Sequence, residues 1–421
     1  MNILTGQKLY TFDNGLRLLV DPMPGLKTFA MSALIYGGAR FETKAQSGWA
    51  HLLEHMVFKG AGGRNARELA EAIEHKGGSI NASTGYEHTR FEVRGLNSLM
   101  PLALEIVADL MFRSALDPEE LEREKKVVEQ EILEAFDTPD DHVFDLLQSA
   151  MFSDQAIGRP ILGTKQSLKS ANSANLRAFA DALYAPHQIV VCISGGVEPD
   201  AVYKEAQRLI GSVPAHEGFG TPQPLRFTTK KAVLRRKIEQ ANVTLGFSGV
   251  SRLSPDIIPL RLFSEILGGG MASRLFQEAR EARGLAYAID AFTTPYRDGG
   301  VFGVYAGCAP KDVEPLIELI QTVMADLSSC PLAAELERAK AQFMTSLFLN
   351  HEGAASRSGT FASQLSTFEK VFTLDEVAAE IERVGLDDLV RVGSALTAQK
   401  TCASALLGPK SMGDAAALLA A

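Results

Sequence analysis

Three residues stand at a spacing that suits holding and using a metal ion: His51, Glu54 and His55, in the run GWAHLLEHMVFKG (residues 48–60). No Gly or Pro falls between Trp49 and Lys59, so the run is predicted to be helical. On a helix the two histidines lie one turn apart on one face, close enough to grip a single ion. Glu54 stands beside them, which suits a carboxylate acting on water next to the ion better than one binding it. The competing reading is a half-buried apolar helix whose histidines hydrogen-bond locally. The run alone does not separate the two.

A catalytic zinc takes three protein ligands and keeps one position open. The segment LEREKKVVEQEILEAF offers Glu122, Glu124, Glu129, Glu131 and Glu134. Glu124 and Glu131 are two turns apart along one helical face, near Val127, Val128 and Ile132. The other glutamates scatter around the helix and are expected to be solvated, with Lys125 and Lys126 alongside.

The elements that must position these residues occur twice. PLALEIVADLM (101–111) is followed by DPEELEREKKVVEQEILEAF, and PLIELIQTVMADL (315–327) by AAELERAKAQFMTSLFLNHEG. Glu-Leu-Glu-Arg recurs at 120–123 and 335–338. Upstream of each lies a strand–turn–strand pattern, GGSINASTGYEHTRFEVRGL and LAYAIDAFTTPYRDGGVFGVYAG. Late in each half comes a further strand, HQIVVCISGG (187–196) and KTCASALLG (400–408). The expected fold is α+β, with two homologous domains of mixed, mostly antiparallel sheet packed with helices. The run PAHEGFGTPQP reads as a linker, giving domains 1–213 and 226–421 joined by 214–225. At the offsets of Glu124 and Glu131 the second half has Ala339 and Ser346, and it has no H-x-x-E-H. One metal site per chain follows.

A net charge of −9 argues against a nucleic-acid backbone as partner. The most basic run, Lys230 to Lys237, is interrupted by Ala, Val and Leu and reads as a strand edge or linker. No stretch approaches the roughly 18 apolar residues of a membrane span. The opening MNILTGQKLYTFDNG lacks the features of a signal peptide. Cys192, Cys308, Cys330 and Cys402 are widely spaced, and the first two lie in apolar strand-like runs. These features lead us to expect a cytoplasmic protein with reduced thiols. GGGMASR (268–274) lacks the G-K-[ST] ending of a phosphate loop and reads as a helix-entry turn.

His51-x-x-Glu54-His55, with Glu131 seventy-six residues after His55, resembles the inverted-motif zinc peptidases of the pitrilysin/insulysin family, M16. The likeness is closest to the small subfamily that includes the mitochondrial processing peptidase and its bacterial homologues. It also rests on FDNGLRLLVDP, NASTGYEHTRFEV, EREKKVVEQEI and LGGGMASRLFQEAREARGLAYAI, and spans nearly the whole chain. The resemblance implies a LuxS/M16-like metalloenzyme fold and one Zn2+ per chain. His51, His55 and Glu131 would be its ligands, Glu54 the general base, and Glu124 a carboxylate that orients a ligand. The strand at Asn81 and Ala82 would pair with an extended peptide substrate. Arg280 and Tyr287 match the family's pair that contacts substrate and stabilises the oxyanion. Read without the family, both are ordinary structural residues. Large members enclose a chamber with four such units. This chain has two, so the resemblance implies a homodimer in which Arg280 and Tyr287 serve the zinc of the other subunit. Two other readings follow from relatives: a subunit active only with a different partner, and a non-catalytic scaffold.

Overall fold

Runs such as TFAMSALIY and IVVCISG lack polar alternation because both faces of the strands they form are covered. The computed structural model describes residues 6–399 and 401–412; Lys400, the first residue of the predicted KTCASALLG strand, lies outside them. One sheet holds β1 (Lys8–Thr11), β2 (Arg17–Pro22), β3 (Thr28–Tyr36), β4 (Ser79–Thr84), β5 (His88–Leu96) and β6 (Ile189–Gly195), ordered β1-β2-β6-β3-β5-β4. β2 and β6 run parallel and the other neighbours antiparallel. Leu18, Val20, Met31, Ala33, Val191 and Ile193 face a layer of helices that includes Leu52, Leu53, Val107 and Phe179. The alternate positions Leu19, Leu34, Val190 and Cys192 pack against Phe361, Ala362 and Leu365.

A second sheet holds β7 (Lys231–Arg235), β8 (Ala241–Gly249), β9 (Ala286–Pro295), β10 (Gly300–Cys308) and β11 (Ala403–Gly408), ordered β9-β10-β8-β11-β7. Replacing β2 through β6 by β7 through β11 in turn reproduces this order. It also reproduces the one parallel pair, β7 with β11. The repeat in sequence is therefore a repeat of topology, and the α+β fold with two homologous sheets is present. The basic run forms edge strand β7, and GGGMASR is a turn between two helices. All four cysteines are free, with Cys192 and Cys308 buried. No single described helix is long and apolar enough to cross a membrane.

The two compact units are discontinuous in sequence. The first comprises Met1–Ile132, Arg159–Pro222 and Phe348–Thr373; the second comprises Leu133–Gly158, Gln223–Leu347 and Leu374–Ala421. Each sheet is thus covered on one face by a helix from the other half of the chain. Ala354–Phe368 covers β3 and β6, and Pro139–Met151 covers β8 and β11. Each follows directly on a twenty-residue helix that bears the ELER tetrapeptide. A Cβ at Gly246 of β8 would meet Met151 Sδ at 2.6 Å, so the glycine lets its covering helix lie close.

The repeat also contains a lysine clasp. Two residues after each ELER, Lys125 and Lys340 are buried, and their ammonium groups donate to Ala171 O at 2.6 Å and Glu382 O at 2.9 Å. Lys125 is not solvated as the charge pattern suggested, because that carbonyl draws it inward. Glu129 likewise pairs with Lys165 at 2.8 Å.

The covering helix of the first sheet is held at its start by one ion pair. Arg357 Nε and Nη2 donate to the two oxygens of buried Asp21 on β2, both at 2.6 Å, and Gln7 donates to Asp21 at 2.9 Å. Removing the acceptor strands a guanidinium that is largely out of water. We expect Asp21→Ala to destabilise the first unit by about 3 kcal/mol, read as a lower urea midpoint by circular dichroism.

Candidate metal centre

The histidine helix spans Trp49–Val57. Trp49, Ala50, Leu52, Leu53, Met56 and Val57 are buried, a stripe of helical period that leaves His51, Glu54 and His55 together on the opposite, half-buried face. Its start is held by Glu42, whose carboxylate accepts from Gly48 N at 2.9 Å and Ala50 N at 2.8 Å. Those are N–H groups that a helix leaves without internal partners. Gly48 has φ +88, and a Cβ there would sit 2.5 Å from Leu162 O, so only glycine fits this entry.

The second helix, Pro118–Asp137, brings Glu131 to the histidines. Glu131 Oε2 lies 3.5 Å from His55 Nε2 and 3.8 Å from His51 Nε2. The three ligand atoms are all within 4.8 Å of one another. Glu124, two turns earlier, accepts from His55 Nδ1 at 3.0 Å through Oε2 and pairs with Lys59 Nζ at 2.8 Å through Oε1. A carboxylate only accepts, so Nδ1 of His55 carries the proton and Nε2 turns its lone pair toward Glu131. Two acceptors therefore face each other, and Glu131 Oε2 is buried with no hydrogen bond. A cation between them resolves this. Ligands of one tetrahedral zinc are roughly 3.3 Å apart, given metal–ligand bonds of about 2.0–2.1 Å, so the donor set fits zinc with small adjustments. Burial, with His55 adding, holds the His51 imidazole down at about 4. It is therefore neutral near pH 7, as a metal ligand must be.

Glu54 stays beside this set rather than in it. Burial raises its carboxyl above the ordinary range, Glu131 adds to this, and Thr84 and His55 act against it. Thr84 Oγ1 donates to Glu54 Oε2 at 2.6 Å. Thr84 ends β4, the edge strand that also carries Asn81 and Ala82. Asn81 pairs with Glu92 and Ala82 with Phe91 on β5, and the other side of β4 has no strand partner among the described residues.

Arg280 and Tyr287 lie in the second unit, next to each other. The Arg280 guanidinium sits 4.8 Å over the Phe276 ring and 5.9 Å over that of Tyr287. The register of β9 against β10 slips between Ala286 and Ala288, which makes Tyr287 the bulged residue and leaves it 75% exposed.

Lys59, Thr84 and Glu42 were not found by sequence reasoning. Lys59 had a signal, since it follows His55 by one helical turn. Glu42 and Thr84 had none, because their partners are reached only through folding.

A histidine pair from one helix and a glutamate from a second, with a carboxylate beside them, form a group that could hold a metal ion, carried by a duplicated α+β frame. Residues 24–165 match the family model for insulinase (peptidase family M16), and residues 170–343 match that for the peptidase M16 inactive domain. The chain belongs to peptidase family M16. It is 36% identical over 382 residues to an uncharacterized zinc protease of Bacillus subtilis, covering 90% of this chain and 93% of the relative. An uncharacterized zinc protease of Rickettsia bellii is 33% identical over 400 residues, covering 95% and 97%. In fold the chain is similar to a protease from Helicobacter pylori, with TM-score 0.88, 22% identity and coverage of 96% and 99%. A peptidase M16 inactive domain from Pseudomonas fluorescens gives TM-score 0.88, 19% identity and coverage of 96% and 98%.

The Lys59–Glu124–His55 chain predicts how metal binding fails. Glu124→Ala and Lys59→Met should each weaken zinc binding by about 10–100-fold, measured by competition with a chromophoric chelator. His51→Ala should lose stoichiometric zinc altogether.

Proposed function

We propose that the chain is a zinc-dependent endopeptidase that hydrolyses short or unfolded peptides in a chamber formed by two copies of itself. The observation that carries the reading is the convergence of His51, His55 and Glu131, whose ligand atoms lie within 4.8 Å of one another, beside a Glu54 carboxylate engaged by Thr84. Two imidazoles and a carboxylate suit zinc, one per chain. When bound there, zinc supplies a Lewis acid that acidifies water and polarises a carbonyl.

The chain's own residues would do the rest. Glu54 takes a proton from the attacking water as its oxygen bonds to the scissile carbonyl carbon. It returns that proton to the amine as the C–N bond breaks. Burial makes its carboxylate more basic than an exposed one, which favours the uptake of that proton. Edge strand β4 would bind the peptide by strand addition at Asn81 and Ala82, which fixes the scissile bond relative to Glu54. Arg280 and Tyr287 would contact the substrate and stabilise the oxyanion from the partner subunit, a reading that suits the exposure of Tyr287. A non-catalytic scaffold would be supported by a broken ligand set, and here every member is in place. We assign the protein to the cytoplasm, a reading supported by its four free cysteines.

Glu54→Gln should keep zinc and fold while losing nearly all turnover of a quenched peptide, and chelation of the wild type should abolish activity that added zinc restores. The dimer is tested by mixing. Equimolar Glu54→Gln and Tyr287→Phe proteins should regain activity after subunit exchange, with a sizing column showing a dimer of identical chains. No recovery in a protein that remains dimeric would remove the shared site. Activity appearing only with a different partner chain would favour the heteromeric reading.

A further inference from the structure

We propose that Thr84 is a positioning residue for Glu54, so that the strand offered to the peptide also sets the orientation of the base. The proposal rests on the peptidase reading for its consequence, but the contact itself is independent of it. Thr84 Oγ1 to Glu54 Oε2 is 2.6 Å, in the range of hydrogen bonds to an ionised acceptor. Since a carboxylate has nothing to donate, the hydroxyl proton points at Oε2. It is the one hydrogen bond of the Glu54 side chain among the described residues, and it leaves Oε1 without a protein partner.

The geometry of β4 makes this placement firm. Its residues alternate between exposed Ser79, Asn81 and Ser83 and half-buried Ile80, Ala82 and Thr84. Ile80 and Ala82 pack on the core and bring Thr84 with them toward the histidine helix. Threonine is stiff about its first side-chain torsion, so fixing the strand fixes the hydroxyl. The hairpin that follows is clamped from outside. Ala39 N and Arg40 N donate to Gly85 O and Tyr86 O at 3.1 and 2.8 Å, and buried Arg40 pairs with buried Glu87 at 2.5 Å. Gly38 comes so near that a Cβ would lie 2.3 Å from Gly85 O. Thr84 is therefore held by rigid neighbours, as a group that aims another must be. Rotation of Glu54 away from Thr84 would change the direction in which its free Oε1 points.

The test compares zinc-loaded wild type, Thr84→Val and Thr84→Ser by crystallography, zinc affinity and steady-state peptide cleavage. Thr84→Val keeps the shape and removes the donor. We expect the Glu54 carboxylate to rotate in that variant while His51, His55 and Glu131 stay. We also expect kcat to fall about 10–100-fold with KM and zinc affinity unchanged. Thr84→Ser should restore both the Glu54 orientation and most of kcat. An unmoved Glu54 with unchanged kcat in Thr84→Val would overturn the proposal, as would a Thr84→Ser variant no better than Thr84→Val. A zinc affinity that fell in step with kcat would also overturn it, by placing the effect on the ligands. If the wild type cleaved no peptide but Glu54 still rotated only in Thr84→Val, the peptidase reading would fall and the positioning role would stand.

Discussion

The site depends on holding two imidazoles and a carboxylate within reach of one another. The His55 Nε2 lone pair and Glu131 Oε2 face each other without a hydrogen bond, so the surrounding structure must supply the restraint. Each neighbour contributes a part of it. Glu42 and Gly48 hold the start of the histidine helix, and Glu124 sets the tautomer and angle of His55. Lys59 offsets the charge of Glu124, which would otherwise be a buried anion with only an imidazole for company. Restraint of this kind pre-organises a site before the metal binds.

The duplicated frame shows what the site needed beyond the fold. Both halves carry the same strand order, the same twenty-residue helix and the same lysine clasp. In the second half, the residue corresponding to Glu124 is Ala339, which is buried, and the one corresponding to Glu131 is Ser346, which is exposed. Between β8 and β9 the helix Ile257–Gly268 buries Leu260, Phe263, Ile266 and Leu267 and carries no histidine. A frame that does not need these two carboxylates for stability could lose them in one copy, because burying ionic groups costs desolvation that apolar packing avoids. The second copy instead carries a bulge that turns Tyr287 outward beneath Arg280.

The reciprocal covering helices are the part of the architecture least visible in sequence. Pro139–Met151 and Ala354–Phe368 are ordinary amphipathic segments, and nothing in their periodicity says which sheet they will cover. The choice is made by complementary detail. Arg357 finds Asp21, and Met151 fits over the bare backbone of Gly246. Such pairs join residues far apart along the chain, where local pattern carries no information.

What the sequence determined alone was whatever depends on local periodicity and on repetition. His51, Glu54 and His55 share a face because a helix turns every 3.6 residues, and the repeated ELER segments disclosed two copies of one fold. Glu131 and Glu124 could be narrowed to one helical face, but only the family likeness distinguished ligand from support. The tertiary structure decided which atoms meet. It put Glu131 against the imidazoles, gave His55 its tautomer through Glu124 and Lys59, drew Lys125 into the interior, and set Thr84 on Glu54. These are contacts between elements, and a side chain's own sequence neighbours do not encode the partner it reaches when sheets and helices pack.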